Sequence, residues 1–194
     1  MINVIHDPRY PEKLKLLAED FDRKGIPYCV WPAVFDEPTI EGSINMSHKQ
    51  IVGYAKQEGL PFIKIAEDDA WFPADDGYKY YLNNVQNLSP ECDIYLAGTY
   101  GPRKHYSPGL IEAEQIIGLH CYMIFERYYD IFLATPDEAH IDISQRGGLY
   151  LAVYPFACLQ RPGYSSNTKR EVNFNTLLKP EDIYGVSNQA SNPV

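Results

Sequence analysis

The chain has 194 residues, of which 45% are hydrophobic and 22% are charged, and its formal net charge at pH 7 is −9. This composition suits a soluble globular domain, expected at 1–185, followed by a flexible tail at 186–194. The acidic balance argues against nucleic acid as a partner, because phosphate backbones are bound by basic surfaces. No apolar run is long enough for a transmembrane helix and no signal peptide is evident, so a cytoplasmic location is expected.

The N-terminal part of the chain alternates strand and helix patterns. Residues 2–5 and 28–31 are short apolar runs typical of strands. Between them, an apolar stripe that starts after Pro11 and stops at Gly25 predicts a helix. Strand, helix and strand in this order indicate a parallel pair joined by a crossover.

A second helix is predicted from Ser43, as its N-cap, to Gly59. His48 lies on the apolar stripe of this helix. Its position is typical of a buried histidine whose nitrogens need partners, and the alternative is a nitrogen that faces a ligand pocket. The apolar run at 62–66 predicts a central strand directly after the helix.

The C-terminal part of the chain continues the alternation. A helix capped by Asp75 or Asp76, strands at 94–97, 115–125 and 149–153, and a short helix at 127–133 are predicted. The segment 98–109 is expected to be a polar loop, whose basic residues 103–105 either close over phosphates or lie in solvent. The whole pattern indicates an α/β domain with a central mixed, mostly parallel sheet, which binds ligands beyond the carboxyl ends of its strands.

The four cysteines are widely separated and include no C-x-x-C pair. This spacing argues against both a zinc site and a disulfide framework. We expect buried, reduced thiols, since cysteine behaves as a small hydrophobic residue.

Three consecutive acids, Glu67, Asp68 and Asp69, directly follow the predicted central strand. Adjacent carboxylates raise one another's pKa, and partial burial adds to this effect. A bound Mg²⁺ or Mn²⁺ removes the conflict, and these ions are usually held by one or two carboxylates plus substrate phosphates. The alternative is that the acids cap a turn or lie in a solvated loop.

His140 and Asp142 form a second polar pair. In an extended segment, side chains two residues apart point to the same side, so one of this pair is suited to bind a metal and the other to act as a general base. The alternative is a loop before a hairpin.

Several segments together resemble glycosyltransferase family 25, the lipooligosaccharide galactosyltransferase family that also includes the collagen galactosyltransferases. They are residues 32–34 (PAV), 42–48 (GSINMSH), 67–70 (EDDA), 118–124 (GLHCYMI), 140–142 (HID), 154–155 (YP) and 159–160 (LQ). The resemblance covers roughly 25–168. It implies a GT-A-like fold, a nucleotide-sugar donor that is commonly UDP-galactose, inversion at the anomeric carbon and a glycan or lipid-linked sugar acceptor, as in lipopolysaccharide biosynthesis.

The sequence and the resemblance together predict a metal-dependent glycosyltransferase. Glu67, Asp69 and His140 are the candidate metal ligands, and Asp142 is the candidate general base. His6, Arg9, His48 and Asp68 are assigned to the donor pocket. The first strand departs from the family pattern, which has Asn-Leu followed by an arginine-containing turn, and Arg9 is the arginine available here.

Two other classes remain open at this point. A sugar nucleotidyltransferase uses similar acids but carries a glycine-rich, basic phosphate loop near its first strand, which residues 6–9 (HDPR) do not form. A non-catalytic carbohydrate- or nucleotide-binding protein keeps the fold without metal affinity.

Overall fold

The computed structural model describes residues 1–35, 38–165 and 168–186. Within this part of the chain the helices are α1 (Pro11–Arg23), α2 (Ile40–Gln57), α3 (Gly77–Asn83) and α4 (Tyr129–Leu133). The strands are β1 (Ile2–His6), β2 (Tyr28–Pro32), β3 (Phe62–Glu67), β4 (Ala70–Trp71), β5 (Cys92–Leu96), β6 (Arg103–Ser107), β7 (Leu110–Ala113), β8 (Cys121–Phe125), β9 (Leu149–Val153), β10 (Leu159–Gln160), β11 (Gly163–Ser165) and β12 (Arg170–Val172). Short 3₁₀ turns occupy Asn84–Asn87, Glu126–Tyr128, Phe174–Leu177 and Pro180–Asp182.

In the described residues, eight strands form one mixed sheet in the order β2-β1-β3-β8-β5-β9-β7-β6. The pairs β1–β2, β1–β3 and β5–β9 are parallel and the remaining neighbours are antiparallel, so β7 and β8 run against the other strands. The carboxyl ends of β1, β2 and β3 therefore meet at one edge, together with the segment that leads into β8. The predicted α/β fold, with a central mixed sheet flanked by helices, is confirmed.

Helices cover both faces of this sheet, and each face has its own apolar core. On one face, Ile51 and Val52 of α2 and Phe132 of α4 pack against inward side chains of the strands. On the other, Leu17 and Phe21 of α1 do the same. Strand side chains alternate between the faces, so the central strands read as continuous apolar runs, as expected for a sheet buried on both sides.

Helix α2 begins earlier than the sequence predicts. Its N-cap is Thr39, whose Oγ1 accepts a hydrogen bond from the Gly42 N–H at 3.0 Å, so the prediction of Ser43 as N-cap is wrong. Ser43 lies one turn inside the helix, where its carbonyl accepts from the Ser47 hydroxyl. Asp76 does precede α3, but without a capping hydrogen bond from its side chain.

The segment 98–109 is not a loop throughout, because Arg103–Ser107 forms the edge strand β6. Arg103 lies 2.9 Å from Asp182 and Lys104 lies 2.9 Å from Glu112, so both charges are paired within the fold. The hypothesis of a basic loop that closes over phosphates stays a prediction, since ion pairs in the ligand-free protein do not test it.

Other expectations hold with small shifts of boundary. The strand at Leu149–Val153 agrees with the prediction, whereas the predicted strand at 115–125 shortens to Cys121–Phe125. All four cysteines are free thiols, and three of them are buried. No helix in the described ranges is long and apolar enough to cross a membrane. Apart from Val186, the tail expected at 186–194 lies outside the described residues.

Candidate active site

A cavity of about 460 Å³ opens at the carboxyl ends of β1 and β3, a size in the usual range for small-molecule sites. The start of α1, the first turns of α2 and the segment before β8 form its walls. The segment before β8 reaches this edge because β8 runs antiparallel to β3. At this edge the Glu67 N–H donates a hydrogen bond to the His120 carbonyl at 3.0 Å. The acids of 67–69 thus lie where a parallel sheet binds ligands.

Among the charged side chains of the described cavity lining, acids outnumber bases. The carboxylates are Asp7, Glu41, Glu67, Asp68, Asp69 and Asp142, and the permanently charged bases are Arg9 and Lys13. An anionic ligand bound here without a cation would face a net negative wall. The charge balance therefore favours either a cationic ligand or an anion accompanied by a metal ion.

Glu67 is held by a buried pair of side chains from α2 and β8. His48 Nε2 lies 3.3 Å from Glu67 Oε1, and His48 Nδ1 lies 2.9 Å from the Tyr122 hydroxyl. Burial acts to raise the pKa of Glu67, but the hydrogen bond from His48, together with nearby positive charge that includes Lys13, outweighs it and lowers that pKa. An ionised Glu67 accepts from an Nε2–H, which leaves Nδ1 to accept from the Tyr122 hydroxyl.

Asp68 points back toward the first strand. Its Oδ2 lies 2.8 Å from His6 Nδ1 and accepts a hydrogen bond from the Asp7 N–H at 3.1 Å. Burial raises the Asp68 pKa despite these contacts, which act in the opposite direction. His6 is 8% exposed and stands behind Asp68, outside the cavity lining. The pair therefore fixes the turn after β1 to the turn after β3.

The carboxyl of Asp69 lies beside Gln160 and Lys13. Its Oδ2 accepts a hydrogen bond from Gln160 Nε2 at 3.0 Å and lies 3.7 Å from Lys13 Nζ. Its Oδ1 is buried and has no hydrogen-bond partner among the described residues. Burial and the charge of Glu67 raise the Asp69 pKa to about 7. A second cation near Asp69 would satisfy the free oxygen and lower that pKa.

Arg9 stands at the rim of the cavity. Its guanidinium forms a two-point hydrogen bond with Asp7, at 2.9 Å to Oδ1 and 2.6 Å to Oδ2, and packs on the ring of Phe35 with 4.5 Å between the guanidinium carbon and the ring centroid. The charge of Arg9 is thus largely balanced by Asp7. Phe35 is 43% exposed beside it, so the two side chains form a flat, partly exposed surface.

His140 and Asp142 both line the cavity, but the segment is not extended, because 141–144 form a turn. His140 Nε2 lies 3.9 Å from Glu41 Oε1. Asp142 Oδ2 accepts from the Gly118 N–H at 3.0 Å, and Oδ1 accepts from the Ile143 N–H at 2.7 Å. Gly118 has a φ of +89°, a conformation that favours glycine, so Asp142 fixes an unusual turn in the cavity wall.

The structure brings most predicted site residues to one cavity. Arg9, His48, Glu67, Asp68, Asp69, His140 and Asp142 line it, and His6 supports it from behind. The predicted ligand set of Glu67, Asp69 and His140 is not assembled, since the described residues contain no group of three His, Cys, Asp or Glu side chains placed to hold one ion. A metal here would take one or two protein carboxylates and complete its shell from a ligand and water.

Two residues that support the acidic cluster, Lys13 directly and Tyr122 through His48, were not predicted from the sequence as site residues. Lys13 reaches Asp69 from the first turns of α1, and Tyr122 holds His48 from β8. Lys13 could have been identified from its position, because a basic residue soon after the first strand of an α/β sheet lies near the ligand-binding edge. No feature of the sequence marks Tyr122 as a site residue, because a tyrosine in an apolar strand usually belongs to the core.

The sequence matches no protein-family model and no curated protein. Solved structures with a similar arrangement include a glycosyltransferase involved in the glycosylation of the major capsid of PBCV-1 (14% identity, 71% of this chain and 66% of that chain, TM-score 0.46). They also include A197 from STIV (12% identity, 88% and 92%, TM-score 0.48) and the catalytic domain of Drosophila beta1,4galactosyltransferase 7 (14% identity, 68% and 50%, TM-score 0.38). At these values the likenesses carry no conclusion about substrate or mechanism.

Proposed function

We propose that this protein is a metal-dependent glycosyltransferase that moves a hexosyl unit from a UDP-linked sugar to a glycan or lipid-linked sugar acceptor. The observation that carries the proposal is Asp69, a carboxylate in the wall of a ligand-sized cavity with one buried oxygen that has no hydrogen-bond partner in the described part of the chain. The resemblance of the segments at 42–48, 67–70 and 140–142 to glycosyltransferase family 25 supports the nucleotide-sugar donor.

Asp69, with Glu67 beside it, fits a divalent cation. Both are hard oxygen ligands of the kind that Mg²⁺ and Mn²⁺ prefer, and Asp69 Oδ1 is available in the described structure. When bound, the ion would neutralise charge on the departing diphosphate. Gln160 and His48 each hold one oxygen of these acids, which keeps the two carboxylates oriented.

Asp142 is our proposal for the general base. Backbone N–H groups fix both of its oxygens at the cavity wall, and a carboxylate oxygen has a second lone pair free for a hydroxyl proton. In the proposed step, Asp142 takes the acceptor proton while the acceptor oxygen bonds to the anomeric carbon. The bond from that carbon to the diphosphate oxygen breaks, and the configuration inverts as the family resemblance implies.

The first test is thermal unfolding of the protein with UDP, in Mn²⁺ and in EDTA. UDP at one hundred times its dissociation constant should add about 2.7 kcal/mol of stability when Mn²⁺ is present. The same measurement on Asp69→Asn should show little stabilisation. Equal stabilisation of the unmodified protein in EDTA would contradict the metal-bridged site.

The second test separates the proposed reaction from the two alternatives. The protein is incubated with Mn²⁺ and a panel of UDP-hexoses, with and without glycan acceptors, and released UDP is measured. Binding without UDP release would indicate a non-catalytic binding protein. Formation of UDP-sugar and pyrophosphate from UTP and a sugar 1-phosphate would indicate a nucleotidyltransferase instead.

A further inference from the structure

Lys13 is placed between the first helix and the acidic cluster. It lies in the first turns of α1, and its Nζ is 3.7 Å from Asp69 Oδ2. The side chain is 21% exposed and lines the cavity. Its ammonium group therefore borders the space that a ligand of Asp69 would occupy.

Lys13 carries its charge in this position. Burial acts to lower its pKa, but the carboxylates of Asp69, Asp68 and Glu67 outweigh burial and raise it. The other permanent cation of the described lining, Arg9, is engaged by Asp7. Lys13 is thus the main counter-charge of the acidic cluster among the residues that the structure describes.

The contact between Lys13 and Asp69 is loose enough to exchange. At 3.7 Å the two atoms are beyond hydrogen-bond distance, so the attraction is mostly Coulombic. A divalent ion at Asp69 competes with the ammonium for the same carboxylate and also repels it. The lysine stem has four flexible carbons, and an ammonium group is a common point-charge ligand of phosphate.

We propose that Lys13 is an exchangeable counter-ion. In the ligand-free protein it neutralises Asp69. When a divalent cation binds Asp69 and displaces the ammonium group, Lys13 binds a phosphoryl oxygen of the diphosphate instead. This inference rests on the proposed function, and it assigns to Lys13 a role in binding the anionic part of the donor. A fixed structural ion pair is the competing explanation. The two explanations differ in the sign of the effects that follow from removing the charge.

The test is Lys13→Met, which keeps the apolar stem and removes the ammonium. Binding of Mn²⁺ alone, measured by calorimetry, should become about fivefold tighter, since an ion pair of this exposure is worth on the order of 1 kcal/mol. Binding of UDP at saturating Mn²⁺ should become about tenfold weaker or more, because a charge-assisted phosphate contact is lost. The two affinities should therefore change in opposite directions.

Lys15→Met is the matched control. Lys15 lies on the same helix but is exposed and does not line the cavity, so this variant removes the same charge without removing the contact. It should change neither affinity by more than about twofold, because charges in solvent are screened.

Each outcome has a separate meaning. If the unmodified protein binds UDP in a Mn²⁺-dependent way and Lys13→Met matches Lys15→Met in both titrations, the counter-ion exchange is wrong and the proposed function stands. Weaker binding of both Mn²⁺ and UDP by Lys13→Met would indicate a fixed structural pair and would also overturn the exchange. If the unmodified protein binds UDP equally in EDTA, or binds neither ligand, the metal-bridged function and the exchange fail together.

Discussion

His48 Nε2 lies 3.3 Å from Glu67 Oε1, so a histidine on the apolar stripe of α2 reaches the first acid of the cavity. The ring is 1% exposed, and its other nitrogen is 2.9 Å from the Tyr122 hydroxyl. His48 is therefore both a core residue and a contact of the acidic cluster. The ionised Glu67 can only accept, so it holds the proton on Nε2, and the Tyr122 hydroxyl, which donates to Nδ1, holds the orientation of the ring that Glu67 contacts.

Tyr122→Phe should weaken Mn²⁺-dependent UDP binding by about tenfold, the lower end of the cost of losing a group that supports a metal ligand, because Tyr122 acts on Glu67 through His48. Without the tyrosine hydroxyl, His48 Nδ1 has no partner and the ring is no longer held from that side, so the hydrogen bond from Nε2 to Glu67 is less well oriented. The measurement is a UDP titration at saturating Mn²⁺.

The control for this variant is Tyr81→Phe. The Tyr81 hydroxyl is also buried and donates to the Tyr95 carbonyl at 2.9 Å, within the apolar core on the opposite face of the sheet from α2. Both variants should lose about 1 kcal/mol of stability. Equal UDP affinity in the two would show that the Tyr122 hydroxyl matters only for folding.

Asp142→Asn should lower glycosyl transfer about 10²- to 10⁴-fold if Asp142 is the general base. The affinity for UDP with Mn²⁺ should remain nearly unchanged, because in the proposed reaction the base contacts the acceptor and not the diphosphate. Transfer and UDP binding are measured on the same preparation. An active Asp142→Asn enzyme would leave Asp142 with its observed role of fixing the Gly118 turn, and the base would then lie elsewhere.

Asp69→Asn should make the stability of the ligand-free protein less dependent on pH. The folded-state pKa of Asp69 is raised to about 7, so its protonated form stabilises the fold below its ordinary value of 3.8, and this contribution is lost as the pH rises through about 7. The variant should therefore be the more stable protein at pH 8, by at most about 4 kcal/mol, with a difference that shrinks as the pH falls. Chemical unfolding between pH 4.5 and 8 in EDTA measures it, and a constant difference would contradict the raised pKa.

The position of the acidic cluster was predictable because it depends on local pattern and on one general rule. A buried strand followed by three acids predicts carboxylates at the carboxyl edge of a parallel sheet, and Glu67, Asp68 and Asp69 lie there. The partners of these acids come from β1, α1, α2 and β10, between 19 and 91 residues away in sequence. Such contacts depend on how the elements pack, which periodicity does not encode.

The strand β6 shows a second limit of sequence reasoning. Its residues, RKHYS, are mostly polar and lie at the edge of the sheet, where the strand is largely exposed. An edge strand with polar side chains on both faces has no period-two apolar pattern, so it reads as a loop. The strand is held in the sheet by its pairing with β7 and by the ion pair from Arg103 to Asp182, and neither contact is visible in the sequence pattern.

The Arg103–Asp182 pair also anchors the C-terminal segment. Asp182 is 5% exposed; its Oδ2 lies 2.9 Å from Arg103 Nη2, and its Oδ1 accepts from the Tyr154 hydroxyl at 2.7 Å. Burial acts to raise the Asp182 pKa, but the Lys179 N–H, Tyr154 and Arg103 outweigh it and lower that pKa. The ionised form is thus the one that the fold stabilises.

Asp182→Asn should destabilise the protein at pH 7 by about 1.5 to 3 kcal/mol, the range for charge-assisted hydrogen bonds. Because the folded-state pKa is lowered, the contribution of Asp182 is fully present above its ordinary value of 3.8 and is lost as the pH falls through the lower, folded-state value. The difference in unfolding free energy between the two proteins should therefore be constant from pH 5 to 8 and decrease below about pH 4.

Glu181→Gln is the control, because it removes the neighbouring, exposed charge and should change stability by less than about 0.5 kcal/mol at every pH. The measurement is urea unfolding of the unmodified protein and the two variants across this pH range. If Asp182→Asn loses as much stability at pH 3 as at pH 7, the effect comes from packing and not from the ionised carboxylate.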